Sequence, residues 1–206
     1  MAVAALLAAC GGESSDANQA AGTYHVRVTD AGFPAEQRLG QTSLMRLGIR
    51  NTGKKALPAL TVTISIAGKE GQQSSLPFGV SNTQTGLAQP DRPVWVLAAG
   101  YPKLAGSEEP GGATTSNRKT FSFGPLKPGA TTEAVWKLSA VKAGKFTVLY
   151  KIDAGLSGTA KAQTNGVASG GSFATEISAV PPDTEVTDSG EVVEKAMQRQ
   201  RSQSGE

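Results

Sequence analysis

The sequence is short of most of the groups that chemistry requires. Its 206 residues hold one cysteine and one histidine, Cys10 and His25. A lone cysteine closes no internal disulfide, so a folded body must hold together by its core alone. One histidine with no second cysteine does not supply the usual ligand sets for zinc or copper. No serine lies in a G-x-S-x-G turn, and His25 is the sole conventional base. Gly68-Lys69 and Gly144-Lys145 lack the preceding glycine and the following hydroxyl of a phosphate loop, so both read as turns. Glu108-Glu109 is flanked by Pro110-Gly111-Gly112 and reads as a solvated loop tip. Asp183, Glu185 and Asp188 lack the glycine-centred spacing of a calcium loop. The expectation is no catalytic residue, no metal and no cofactor.

Long apolar runs and strong charge are lacking too. No window after residue 9 approaches the ~20 apolar residues of a membrane-spanning helix. Lysine and arginine number 20 against 17 acidic residues, a net +3, and the cations are scattered along the chain. Such a mild excess does not argue for a nucleic-acid partner.

Glycine is abundant instead, at 25 residues, and aromatics are only 5%. With frequent Thr, Val and Ser, this favours many short strands joined by turns over a helical bundle. The length fits one domain.

The alternation of apolar and polar residues places the strands. Tyr24, Val26 and Val28 alternate with His25, Arg27 and Thr29, which leaves His25 on the exposed side. Met45, Leu47 and Ile49 form a second inward row, and Leu60, Val62, Ile64 and Ile66 a third. Phe121 and Phe123, then Ala134, Trp136 and Leu138, then Phe146, Val148, Tyr150 and Ile152 continue the rhythm. Trp136 is read as core. After a glycine-rich connection from Ala154 to Gly171, Phe173, Thr175 and Ile177 mark a last strand, which Pro181-Pro182 ends. Asn51-Thr52-Gly53-Lys54, Pro128-Gly129 and Ala143-Gly144 are turns.

Residues 68–118 break the rhythm, apart from one apolar island, Pro93-Val94-Trp95-Val96-Leu97, followed by Tyr101-Pro102. A structureless stretch of ~50 residues is uncommon inside a compact domain. The island is therefore expected to be a short strand or a plug on the body. Residues 107–116 read as exposed loop. About seven short strands with turns between them predict an all-β, immunoglobulin-like antiparallel β-sandwich with a long loop insertion.

Two resemblances add to this reading. Met1 to Ala9 is a short apolar run that ends in small residues, as secretory signals do. With the cysteine that follows, Leu7-Ala8-Ala9-Cys10 resembles the lipobox of bacterial lipoprotein signals. The resemblance implies cleavage before Cys10 and a covalent diacylglycerol on its sulfur, with an N-acyl chain open to the freed amine. No Lys or Arg precedes the run, so the positive end of the signal would be the free amino terminus or residues upstream of Met1.

The second resemblance lies in turn and strand grammar. Ile49-Arg50-Asn51-Thr52-Gly53 before the Leu60 strand is similar to the (V/I)-x-N-x-G start of bacterial immunoglobulin-like domains. Leu126-Lys127-Pro128-Gly129, Trp136, and Gly144-Lys145-Phe146-Thr147-Val148 are similar to their L-x-P-G … W … G-x-Y/F-x-V second half. The pattern resembles that of the cell-adhesion-related bacterial domain, CARDB, over Met45 to Asp153 with the insertion splitting it. The family implies extracytoplasmic interaction or spacing without catalysis.

The expected organisation is a signal at 1–9, Cys10 with a flexible tether to residue 22, and a sandwich at 23–182 carrying the insertion 68–118. A polar tail follows at 183–206, disordered or a short frayed helix with Val192, Val193, Ala196 and Met197 on one face. The functional expectation is an exported lipoprotein, lipid-anchored to the bacterial cell membrane and facing outside the cytoplasm. Its partner would be an envelope protein or a glycan. The alternative is a small-ligand or carbohydrate binder that stacks a ring on Trp95 and Tyr101 beside Arg92. Against that stands a packing role for Trp95, favoured by its apolar flanks Val94 and Val96.

Overall fold

In the computed structural model, residues 20–67, 78–80, 93–107, 119–156, 158–181, 184–186 and 192–194 are described. Cys10, the signal, most of the tether, Arg92 and the 108–116 part of the loop call lie outside them. The described residues contain strands and no helix.

The predicted alternating runs and the apolar island become strands. These are β1 (Gly22–Gly32), β3 (Thr42–Asn51), β4 (Thr61–Ile66), β6 (Trp95–Leu97), β8 (Thr120–Ser122), β9 (Thr131–Ala140), β10 (Gly144–Asp153) and β13 (Gly170–Ser178). Period-two alternation can bury one row of side chains only when the strand is paired and its other face is wet. In β3 the buried row includes Met45, Leu47 and Ile49, each with no exposed area, while Arg46 and Arg50 point outward. Val62, Ile64 and Ile66 do the same from β4. Each such side chain contributes about 1.5–3 kcal/mol of apolar burial before conformational entropy is subtracted.

Seven short strands escaped the alternation: β2 (Glu36–Arg38), β5 (Phe78–Val80), β7 (Lys103–Leu104), β11 (Ala160–Thr164), β12 (Val167–Ala168), β14 (Thr184–Val186) and β15 (Val192–Glu194). Two to five residues hold too few repeats of the period to be seen. The connection expected from Ala154 to Gly171 is thus not all loop, because β11 and β12 form a hairpin within it. The tail expectation is corrected as well: β14 and β15 pair antiparallel, with Val192 and Val193 in strand where a helical face was expected. Isolated helices so short are marginal in water, and a cross-strand partner removes the need for one. Ala196 and Met197 lie outside the described residues.

Two sheets make the body. One runs in the order β12-β11-β1-β3-β9-β6-β5 with β7 also on β9, the other β2-β13-β10-β4-β8. The central trios β1-β3-β9 and β13-β10-β4 are the two faces of an immunoglobulin-like sandwich. The insertion joins the first sheet: β6 lies antiparallel to β9 and parallel to β5. The apolar island is therefore a strand packed on the body, as expected.

The first segment changes sheet. β1 pairs with β3, carries a register shift between Val28 and Asp30, and then β2 pairs parallel with β13. A bulge re-aims a strand, and Pro34 between the two strands has no N–H to extend a ladder. Between the sheets Phe121 and Phe123 set their rings edge-on to Trp136, at 6.0 and 5.6 Å between centroids. Trp136 is fully buried, as read from its alternation.

Candidate functional site

The aromatic surface expected around Trp95 does not face solvent. Trp95 has no exposed area, its ring tilted against Phe33 at 5.4 Å and edge-on to Phe146 at 5.8 Å. Its indole Nε1–H donates to Gln37 Oε1 at 2.9 Å, and Gln37 in turn donates through Nε2 to the Pro34 carbonyl at 3.1 Å. The reason lies in register: Trp95 stands opposite Ala140 on β9, whose own side chain is in the inward row. A strand added to the sheet at that position inherits the inward direction. A ring in that place closes the end of the sandwich and cannot stack on a sugar. Tyr101 is half-buried against the core, with Lys103 Nζ 5.4 Å above its ring. Arg92 lies outside the described residues, so the trio is not brought together as a binding surface.

At the opposite end, Asn51 joins the two sequence patterns that suggested the fold. Its side chain is fully buried. Nδ2 donates to the carbonyls of Lys55 and Leu126, both at 2.9 Å, and Oδ1 accepts from Gly53 N–H at 2.9 Å. Gly129, with φ of +74°, donates its N–H to the Asn51 carbonyl at 2.9 Å. The N-x-G and L-x-P-G stretches are thus two halves of one hydrogen-bonded unit, which explains why both residue types are needed.

Beside this unit lies a groove of about 430 Å³ lined by Thr23, Tyr24, His25, Thr52, Gly53, Lys54 and Lys55. The His25 carbonyl accepts the N–H groups of Thr52 and Gly53 at 2.9 and 3.1 Å, which holds the lysine-bearing turn against β1. His25 is exposed, as its place in the alternation implied. On the same outward face Arg27 stands directly opposite Arg50, and Lys161 of β11 stands opposite Thr23. All of these cations are exposed. None of Arg27, Arg50, Lys54, Lys55 and Lys161 has an ion-pair partner among the described residues. Like charges directly opposite on adjacent strands disfavour folding, so this arrangement works against stability.

Sequence reading treated the cations as scattered, and along the chain they are. The outward parity of Arg27 and Arg50 was visible, but their being opposite each other depends on strand register, and Lys161 lies on a strand that was not predicted. A second groove, of about 490 Å³, is lined by Glu36, Gln37, Arg38, Gln41, Glu176 and Ser178 and mixes both signs of charge.

Among the described residues no three of His, Cys, Asp and Glu are grouped so as to hold a metal ion. No helix of the described residues is long and apolar enough to cross a membrane.

No protein-family model matches the chain, and no curated protein matches it. Solved structures do. The CARDB domain of a Pyrococcus furiosus protein, solved in complex with di-metal ions, is 9% identical, with 77% of this chain and 93% of that one covered and a TM-score of 0.39. Alpha-2-macroglobulin of Escherichia coli, from domain MG7 to its C-terminus, is 16% identical over 76% of this chain and 17% of that one, at a TM-score of 0.40. A PapD-like (ASH) domain of a human protein is 11% identical over 88% of this chain and 97% of that one, at 0.36. The strand order and register place the chain among all-β, immunoglobulin-like antiparallel sandwiches.

Proposed function

We propose that the chain is an exported bacterial lipoprotein, held to the cell membrane by diacylglycerol on Cys10, with the sandwich displayed outside the cytoplasm as a non-catalytic interaction or structural module. The observation that carries this reading is Leu7-Ala8-Ala9-Cys10 at the end of an apolar run, followed by the polar stretch Gly11 to Gly22 and then by the domain. Two acyl chains on one cysteine give stable anchoring where a single chain gives only marginal binding. A tether of about a dozen residues, rich in Gly, Ser and Ala, sets the body about 20 Å from the bilayer on r.m.s. average. The partner is an envelope protein or glycan. With Trp95 in the core, the carbohydrate-stacking alternative loses the ring it was built on and is not retained.

The test is cell fractionation with mass measurement of the mature N-terminus. The native chain is expected in the membrane fraction with a diacylglyceryl Cys10 as its first residue. Cys10→Ser is expected to shift the protein to the soluble fraction. Retention of Cys10→Ser in the membrane through a high-salt wash, which strips electrostatic binding, or an unmodified Cys10 in the native protein, overturns the reading.

A further inference from the structure

We propose that the basic end of the sandwich lies directly against anionic phospholipid headgroups of the bilayer that carries the anchor. The proposal rests on the lipoprotein reading of Cys10. It is carried by where the unpaired cations sit relative to where the chain enters the domain.

Arg27 and Arg50 face each other across β1 and β3, Lys161 on β11 stands opposite Thr23 nearer the entry of the chain, and Lys54 and Lys55 project from the turn beyond β3. His25 lies among them on the same face. The carboxylates of this face, Asp30 and Glu133, are level with Gly48 farther along β3, and Glu133 is bound to Arg46 at 2.9 Å. The basic end therefore keeps a local excess of positive charge that the net +3 understates.

The outward side of the other sheet is different. Lys145 pairs with Glu176 at 3.3 Å, Lys151 with Asp153 at 2.7 Å, and Thr63 bonds to Thr120 at 2.9 Å. On that side Lys145 and Lys151 are each paired, whereas the five Lys and Arg residues of the basic end have no ion-pair partner among the described residues.

That end is also where the tether arrives. β1 begins at Gly22, one residue before the groove, and Tyr24 Oη donates to the Ala20 carbonyl at 3.1 Å, fixing the entry of the chain there. A tether averaging about 20 Å lets this end reach the headgroup layer, where attraction to an anionic surface acts within about a Debye length, ~8–10 Å. No side chain on this face offers an exposed aromatic platform for single-stranded nucleic acid, since Tyr24 is buried. Headgroup phosphates need only charge and hydrogen-bond donors, which arginine and lysine supply.

The experiment uses the full chain with Cys10→Ser, so that binding is read without the anchor and is separable from lipidation. Co-sedimentation with phosphatidylcholine vesicles, with and without phosphatidylglycerol, is expected to show binding only to the anionic vesicles, weakening as salt rises. Each neutralised cation is expected to lower affinity roughly fivefold, and the triple variant Arg27→Gln, Arg50→Gln, Lys161→Gln on the order of 100-fold. The double variant Arg27→Lys with Arg50→Lys should retain binding, and an unchanged thermal melt of the triple variant shows that its fold is intact. Lys145→Gln with Lys151→Gln should leave affinity unchanged. Equal binding to both vesicle types, no binding, an equal loss from the Lys145 and Lys151 variant, or preference for soluble polyphosphate over vesicles overturns the proposal.

Discussion

Trp136 and Trp95 are both fully buried, yet their polar atoms have different fates. Trp136 sits mid-strand in β9 between Phe121 and Phe123, and its indole N–H has no hydrogen-bond partner among the described residues. Trp95 comes from the insertion, packs on Phe33 and Phe146, and hands its N–H to the buried amide of Gln37. The first ring is held by shape alone at the cost of an unsatisfied donor. The second locks two short strands, β6 and β2, that have little else in sequence to specify them. A buried hydrogen bond contributes modestly to net stability, but leaving one partner alone is expensive. The second neighbourhood therefore depends on a matched pair, and the first on volume.

Removing either ring altogether erases the difference. Trp136→Ala and Trp95→Ala are each expected to cost about 3–5 kcal/mol, read by urea denaturation. A loss below about 1 kcal/mol at Trp95 would mean that the insertion packs elsewhere in solution.

Replacement by phenylalanine exposes the contrast. Trp95→Phe leaves Gln37 Oε1 buried without its donor, whereas Trp136→Phe removes a donor that has no partner among the described residues. The Trp95 change is expected to be the more costly by about 1–3 kcal/mol. Adding Gln37→Leu to Trp95→Phe should recover part of the loss, a coupling of about 0.5–3 kcal/mol in a double-mutant cycle. Equal costs for the two phenylalanine variants, or strict additivity in the cycle, would break the comparison.

The smallest effect lies at the outer end of the Trp95 chain of rings. Phe33 meets Phe173 at 6.0 Å, and Phe173 meets Tyr150 at 5.3 Å. Burial raises the Tyr150 phenol above its ordinary value of 10.0, because the charged phenolate is the form that burial penalises. Above pH 10 the unfolded chain loses that proton first. Stability contributed by the neutral phenol is thus full below pH 10 and falls as pH climbs toward the raised value. Ultraviolet titration of the folded protein should show a late-titrating component that is absent in Tyr150→Phe. A titration curve unchanged by Tyr150→Phe would show that this ring is not shielded.

The two tryptophans also differ in how far they could be read beforehand. Trp136 falls in a run of inward residues with Ala134 and Leu138, and three turns of a period fix a side. Asn51 was legible as a turn residue, but not as the amide that binds Leu126, 75 positions away. Trp95 stood in an island of five residues flanked by apolar neighbours, which fits a plug and a binding platform alike. Only its pairing opposite Ala140 turned it inward. Gln37 gave no signal, since a polar residue in a three-residue strand looks like loop until its partner is known.

Alternation, turn residues and composition were enough to establish an all-β sandwich, its main strands and most of its core, because a strand's two faces are written locally in steps of two. They also carry the Leu7-Ala8-Ala9-Cys10 pattern on which the lipoprotein proposal rests, because that pattern is linear. Strand register, the seating of the insertion and the gathering of Arg27, Arg50 and Lys161 at one end were settled by the tertiary structure alone. Those features join residues from separate strands, and no local periodicity encodes which strand will lie beside which or at what offset.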